Sequence, residues 1–201
     1  MEKARKVTAI VGTYRKGGII DQATDQILAS ASEQGAEVKR IYLVDKHIEF
    51  CANCRRCTLQ PGSDRGKCPT VDDMAAILDA IEASDGIILA SPTNFSTVTA
   101  VTKRFMERLI CYAYWPWGTN APDFRRKQKT KRAVIVASSQ APTLMARTLT
   151  PIVGLLKKTA GLLGAKTVGV LFIGWAAREE KQQLTAKTQE KARRLGKKLV
   201  A

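Results

Sequence analysis

The residues with most chemistry to offer stand close together: Cys51-Ala-Asn-Cys54-Arg-Arg-Cys57, then ten residues to Cys68, which Pro69 follows. Three cysteines at three-residue intervals bring their thiolates to one point, tighter than the two separated C-x2-C pairs that most tetrahedral zinc sites use. A cuboidal iron–sulfur cluster suits the spacing, because each iron takes one thiolate and a Cys-Pro often supplies the last ligand. Zinc, thiol redox chemistry and plain packing stay open as readings of the same residues. Arg55, Arg56, Arg65 and Lys67 flank the cysteines, where they would offset the charge of grouped thiolates or form a solvated loop.

A second chemistry is offered by Gly12-Thr-Tyr-Arg-Lys-Gly-Gly18. Phosphate is well held where a glycine-rich turn opens a helix, since backbone N–H groups converge there and the dipole adds about half a positive charge. Thr13 offers a hydroxyl, Arg15 and Lys16 offer charge, and Gly17 and Gly18 allow close backbone approach. The same glycines would equally serve a bare strand-to-helix turn. The segment lacks G-x-G-x-x-G, so a tightly held nicotinamide dinucleotide is not indicated. Neither a Ser/His/Asp triad nor paired catalytic carboxylates are evident. His47 reads as a loop residue and Cys111, apart from the other cysteines, as buried packing.

The elements that must position these residues alternate along the chain. Lys6–Gly12 is a near-continuous apolar run, as expected of a parallel strand buried on both faces. A helix follows, with Ile20, Ala23, Ile27, Leu28 and Ala31 at helical spacing and Gly35 near its end. Glu37–Leu43 reads as the second strand, and the cysteine-rich loop, 47–70, follows it. Thr70 is expected to cap the next helix, with Asp73 completing an acidic capping box and Met74, Ile77, Leu78 and Ile81 facing inward. Gly86–Ala90 is the third strand. The loop Ser91–Thr97 leads into a helix through Leu109, Arg132–Ala137 is the fourth strand, and Ser138, Ser139 and Gln140 form another polar loop. Pro151 starts a helix that Gly164 ends, Thr167–Ile173 is the fifth strand, and Leu184, Thr188, Ala192, Leu195 and Leu199 stripe the last helix. Strands alternating with helices predict a single α/β domain, 1–201, built on a doubly wound five-stranded parallel sheet. In such sheets ligands bind at the carboxyl ends of the strands, where the loops after strands one, three and four gather.

Composition narrows the class further. Apolar content of 45% over 201 residues is ordinary for one globular domain, and no apolar run reaches the ~18 residues of a membrane span. Met1–Lys6 leads straight into a strand without a signal peptide, and clustered cysteines without a secretory signal point to a reducing, cytoplasmic setting. A net charge of +15 invites a nucleic-acid reading, but the basic runs at Arg125–Lys127, Lys129–Arg132 and Lys191–Lys198 are dispersed and accompany no nucleic-acid motif. Solvated basic faces, or a field drawing in phosphorylated ligands, come first. A non-redox, nucleic-acid-associated protein is the alternative from another class.

The loops together resemble the flavodoxin-like NAD(P)H-dependent FMN reductase family, in particular its iron–sulfur flavoprotein branch. Gly12–Gly18 is similar to the family's phosphate loop, Cys51 to Cys68 with Asp72-Asp73-Met74 to its cysteine segment and following helix start, and Ser91-Pro92-Thr93-Asn94-Phe95 to its S-P-x-Y-F flavin loop. Ala100-Val-Thr-Lys103 and Glu107-Arg108 resemble the A-x-x-K…D-R helix. Ile19 and Ile20 stand where the family usually has Asn and Thr, Asn94 stands in place of tyrosine, and the cysteine gap is longer than usual.

The resemblance implies strand order 2-1-3-4-5 and FMN held by Thr13, Arg15, Lys16, Gly17 and Gly18. Ser91, Pro92, Thr93, Asn94, Phe95, Ser96, Ser138, Ser139 and Gln140 would lie against the flavin. It also implies a [4Fe–4S] cluster on Cys51, Cys54, Cys57 and Cys68, with zinc as the alternative metal. The implied activity is electron transfer from a transiently docked NAD(P)H through flavin to a quinone, flavin or protein acceptor. An electron-transfer flavoprotein without nicotinamide activity is the closest alternative. A homodimer with no membrane partner is expected, and the aromatics of Tyr112–Gly118 would form a lid or a subunit interface.

Overall fold

A computed structural model describes residues 4–201, so the reading of Met1–Lys3 lies outside the described residues. Strand β1 (Lys6–Val11) leads through the Gly12–Gly18 loop into helix α1 (Ile19–Ser32) and then β2 (Glu37–Tyr42). The cysteine-rich loop runs from a single helical turn at Leu43–Asp45 to α2 (Met74–Glu82), which precedes β3 (Gly86–Pro92) and α3 (Ala100–Arg108). A helical turn at Leu109–Tyr112 opens a small ribbon of β4 (Ala113–Tyr114) and β5 (Asp123–Phe124). Then come β6 (Lys131–Ser138), α4 (Thr143–Leu149), α5 (Ile152–Leu162), β7 (Ala165–Ile173) and α6 (Ala186–Val200).

Five strands form one parallel sheet in the order β2-β1-β3-β6-β7, the expected 2-1-3-4-5 arrangement. The central strands carry apolar residues at consecutive positions because both of their faces are covered. Ile10, Ile87, Leu89, Ala133 and Ile135 face α2, α3 and α5 in one core, while Val7, Ala9, Val11, Ile88, Ala90, Val134 and Val136 face α1 and α6 in the other. Strand order reverses between β1 and β3, which brings the loops that follow these two strands side by side. Among the described residues no helix is long and apolar enough to cross a membrane.

Three local expectations change. Thr70 does not cap α2: Asp73 holds the N-cap position without a side-chain cap, and the Met74 amide donates to Asp72 Oδ1 at 3.0 Å. The cause is the neighbouring buried arginine, Arg108, which fixes Asp72 beside the helix start. The helix α4 and the β4–β5 ribbon were not anticipated. Gly12 is required at its position, since a Cβ there would meet Thr102 Oγ1 at 1.7 Å.

Candidate functional site

The carboxyl edge of the sheet opens into a cavity of about 830 Å³, a size in the range of small-molecule sites. Thr13, Arg15, Lys16, Gly17 and Gly18 line it from the loop after β1, Pro92, Thr93 and Asn94 from the loop after β3, and Ser138, Ser139 and Gln140 from the loop after β6. Eleven of the fourteen residues expected at a flavin therefore share one cavity. The other three do not line it. Ser91 is fully buried, its hydroxyl accepting from the Thr99 amide and donating to the Pro92 carbonyl. Phe95 and Ser96 sit at the tip of a tight turn closed by Asn94 and Thr97, with φ of 46° and 65°. Left-handed backbone at both central positions is the mirror-image turn that throws side chains outward, and Phe95 is fully exposed rather than in a core.

Phosphate-loop chemistry is divided among several partners. The α1 N-terminus has Gly18 in extended conformation with no side-chain cap, so its first amides are open to an anion. Ile19 and Ile20 turn their side chains into the core, which accounts for apolar residues at the start of a polar loop's helix. Gly17, at φ 75°, makes the left-handed bend, and its amide donates to Asp21 Oδ2 at 2.7 Å. Asp21 points inward, 4% exposed, and its other oxygen accepts from Arg40 and Tyr42, so its charge is offset next to the loop. Lys16 pairs with Asp45 at 2.7 Å. Arg15 stays exposed at the cavity, where its Nη1 donates to the Glu180 carbonyl at 3.4 Å and it enters no ion pair among the described residues.

A fourth wall was missed in the sequence. Residues 176–183, after β7, line the cavity and are pinned to the first loop by Gln22, whose amide donates to the carbonyls of Gly17 and Gln182 and whose oxygen accepts from Leu184. The available signal was position alone, since any loop leaving β7 at its carboxyl end emerges on this edge. Thr93 also lines the cavity, and its Oγ1 is buried with no hydrogen-bond partner among the described residues. An unpaired buried hydroxyl in a cavity wall is what a bound polar ring would satisfy. With the open amides of α1 and the free Arg15, it makes the cavity a fit for FMN.

The cysteine segment forms a second cavity of about 240 Å³, lined by Cys51, Cys54, Cys57 and Cys68 together with Arg55, Arg108 and Trp115. Burial pushes the Cys57 thiol up, and its neighbours Cys68, Cys51 and Cys54 push it further. Among the described residues, no group of three or more His, Cys, Asp or Glu side chains is close enough to hold a single metal ion. Cys51, Cys54, Cys57 and Cys68 nevertheless line one cavity, and four thiolates are the number that a cubane cluster takes at one per iron. Arg55 lines this cavity, and its Nε is buried with no hydrogen-bond partner among the described residues. The residues present therefore fit an iron–sulfur cluster. Cys111 lies behind them, buried, its thiol pushed up to about 12 mainly by loss of water.

Several basic residues read as solvated faces have partners within the fold, and one of them holds this segment. Arg125 donates to the carbonyls of Cys57, Gln60, Gly62 and Cys111. Arg126 pairs with Glu82, Lys131 reaches the carbonyls of Glu82 and Ser84, and Arg132 reaches that of Lys198. The aromatic segment does not cover the larger cavity. Tyr112 is core, and Trp115 and Trp117 stack on Arg55.

The profile of a family described as NADPH-dependent FMN reductase matches residues 5–170. An iron–sulfur flavoprotein of Methanocaldococcus jannaschii is 37% identical over 103 residues, 51% of this chain and 51% of that protein. One of Archaeoglobus fulgidus is 33% identical over 111 residues, 55% of this chain and 48% of that protein. The alignments thus take in about half the length of these curated relatives. In fold, the chain matches an NAD(P)H:quinone oxidoreductase from Methanothermobacter marburgensis with a TM-score of 0.71 at 18% identity, covering 98% of this chain and 96% of that one. It also matches an FMN-dependent NADH-azoreductase from Bacillus anthracis solved with FMN, with a TM-score of 0.73 at 12% identity, covering 98% and 100%.

Proposed function

The chain belongs to the NADPH-dependent FMN reductase family, and from that membership we propose that it is an FMN-dependent oxidoreductase. It takes reducing equivalents from NAD(P)H and delivers them to a quinone, flavin or protein acceptor, with a [4Fe–4S] cluster on Cys51, Cys54, Cys57 and Cys68. The observation that carries this reading is the cavity of about 830 Å³ at the switch point of the sheet, walled by the three polar loops and the 176–183 segment. When bound, FMN supplies the hydride-accepting and electron-storing chemistry.

The protein's own residues hold and orient. The open α1 amides and Arg15 take the phosphate, and Asp21, held by hydrogen bonds from Arg40 and Tyr42, keeps the loop's bend in place. Thr93 and Asn94 on one wall and Ser139 and Gln140 on the next offer hydrogen bonds to ring oxygens and nitrogens. Phe95 and Ser96 stand next to Asn94 on an exposed turn at the edge of this site.

Two measurements test the proposal. Anaerobically purified protein should contain flavin together with iron and acid-labile sulfide, and adding NADPH or NADH should bleach the flavin absorbance rapidly. Flavin with zinc and no sulfide would overturn the cluster. Flavin that no nicotinamide reduces, but a protein reductant does, would leave an electron-transfer flavoprotein in place of the reductase.

A further inference from the structure

Arg55 sits between Cys54 and Cys57 with its backbone in the left-handed region at φ 60°, as is Asn53 at φ 51°. Side chains rarely adopt that conformation, so contacts elsewhere must hold it. They are supplied by the aromatic segment. The guanidinium lies 3.8 Å from the ring centroid of Trp117 and 4.7 Å from that of Trp115. Its Nη2 donates to the Trp115 carbonyl at 2.6 Å, and the Trp115 amide donates back to the Thr58 carbonyl at 2.7 Å. Cysteine segment and aromatic segment therefore grip each other through this side chain and one backbone hydrogen bond.

Of the other arginines close to the cysteines, Arg108 meets Asp72 and Arg65 meets Asp79 and Glu82, while Arg125 donates to the carbonyls of Cys57 and Cys111 and Arg56 is exposed beside Cys57. Arg55 enters no ion pair among the described residues. Aromatic faces hold a guanidinium in place without cancelling its charge. One donor is also left over, because Nε is buried with no acceptor while Arg55 lines the cavity of the four cysteines. A buried charged donor without a partner is costly, and the cavity is the place where an acceptor can enter.

We propose that Arg55 is a positioning and potential-setting residue for the group held by Cys51, Cys54, Cys57 and Cys68. Its Nε–H donates to a sulfur of that group, and its uncancelled charge raises the group's reduction potential. The inference rests on the cluster reading above. One-electron reduction adds one negative charge to the group, so a nearby fixed cation stabilises the reduced side, and hydrogen bonds to sulfur act in the same direction. Arg108 plays a different part: its Nη2 stands 3.5 Å from Cys68 Sγ, but Asp72 cancels its charge.

The test is a potentiometric titration, followed by electron paramagnetic resonance, of anaerobically reconstituted protein carrying Arg55→Gln or Arg55→Lys. Arg55→Gln should keep FMN, iron and sulfide but lower the reduction equilibrium constant of the cluster about tenfold, which is about 59 mV for one electron. Arg55→Lys, which keeps the charge, should recover most of that shift. An unchanged potential in Arg55→Gln, or an equal fall in both variants, overturns the inference while leaving the cluster standing. Wild-type protein that takes up no iron or sulfide overturns the cluster reading and this inference with it. Should Arg55→Gln bind FMN but no iron, Trp117→Leu decides. That variant leaves Arg55 in place but unstacked on one side, and should keep iron with a smaller potential shift. A wild-type potential there overturns the inference.

Discussion

The buried pair of Asp72 and Arg108 ties both ends of the cysteine segment to α3, and its surroundings set the size of the effect of Asp72→Asn. The two side chains are 0% and 2% exposed and meet twice, Nη1 to Oδ2 at 2.5 Å and Nη2 to Oδ1 at 3.3 Å. The carboxylate also accepts from the amides of Glu49 and Met74, and Arg108 donates to the Glu49 carbonyl. Burial pushes the Asp72 carboxyl up, but Arg108 and the two amides outweigh it and hold the group below the usual carboxylate range. Removing one member of such a pair leaves the other charged and buried, at about 3–5 kcal/mol. Against a total of about 5–15 kcal/mol this is a large fraction of the stability. At about 2–4 °C per kcal/mol for a chain of this size, the melting temperature should fall by about 6–20 °C at neutral pH.

The pH dependence has a definite sign. A carboxyl held low contributes stability that is present above its unfolded pKa, about 3.9, and is lost as pH falls through its lower folded value. The gap between wild type and Asp72→Asn should therefore be constant from neutral pH down to about pH 5 and close below about pH 4. Calorimetric melts across that range measure it. A neutral-pH melting temperature within about 2 °C of wild type would refute the reasoning.

Other outcomes follow from named contacts. Arg15→Ala should weaken FMN binding about ten- to a hundredfold, the worth of a charge-assisted phosphate bond, and an unchanged dissociation constant by fluorescence titration would exclude Arg15 from the phosphate site. Gly12→Ala should lower stability to denaturant by about 1–3 kcal/mol, because the new methyl collides with Thr102 Oγ1, which is itself buried against Thr99. A denaturation midpoint equal to wild type would contradict that. The exposed apolar side chains of α4, Leu144, Met145 and Leu149, should be covered in a homodimer. Light scattering at micromolar concentration should give twice 22.0 kDa, and a monomer mass would contradict it.

The sheet was legible because burial on both faces forces apolar residues into consecutive positions, and Ala9-Ile10-Val11, Ile87-Ile88-Leu89 and Val134-Ile135-Val136 show it plainly. The three polar loops that wall the cavity were legible for a related reason: loops at the carboxyl ends of parallel strands must meet. What stayed hidden depended on partners distant in sequence. Thr70 and Asp73 look like a capping box until Arg108, far along the chain, fixes Asp72 at the helix start instead. The β4–β5 ribbon has two residues per strand, too few for any periodicity, and α4 follows a polar loop with Leu144, Met145 and Leu149 facing outward. Asp21 meets Arg40 and Tyr42 on the next strand, partners that no reading of the loop by itself supplies. The charge of Arg125–Arg132 reads as a solvated face, whereas in the fold Arg125 satisfies carbonyls around the cysteines.

The central claim is that the cavity above β1, β3 and β6 holds FMN by its phosphate. Titrating the flavin-free protein with FMN and, separately, with riboflavin, which lacks the phosphate, tests it most directly. One FMN should bind per chain with saturating quenching of its fluorescence, and riboflavin should bind at least about tenfold more weakly. Absence of saturable FMN binding, or equal affinity for the two flavins, would contradict the claim.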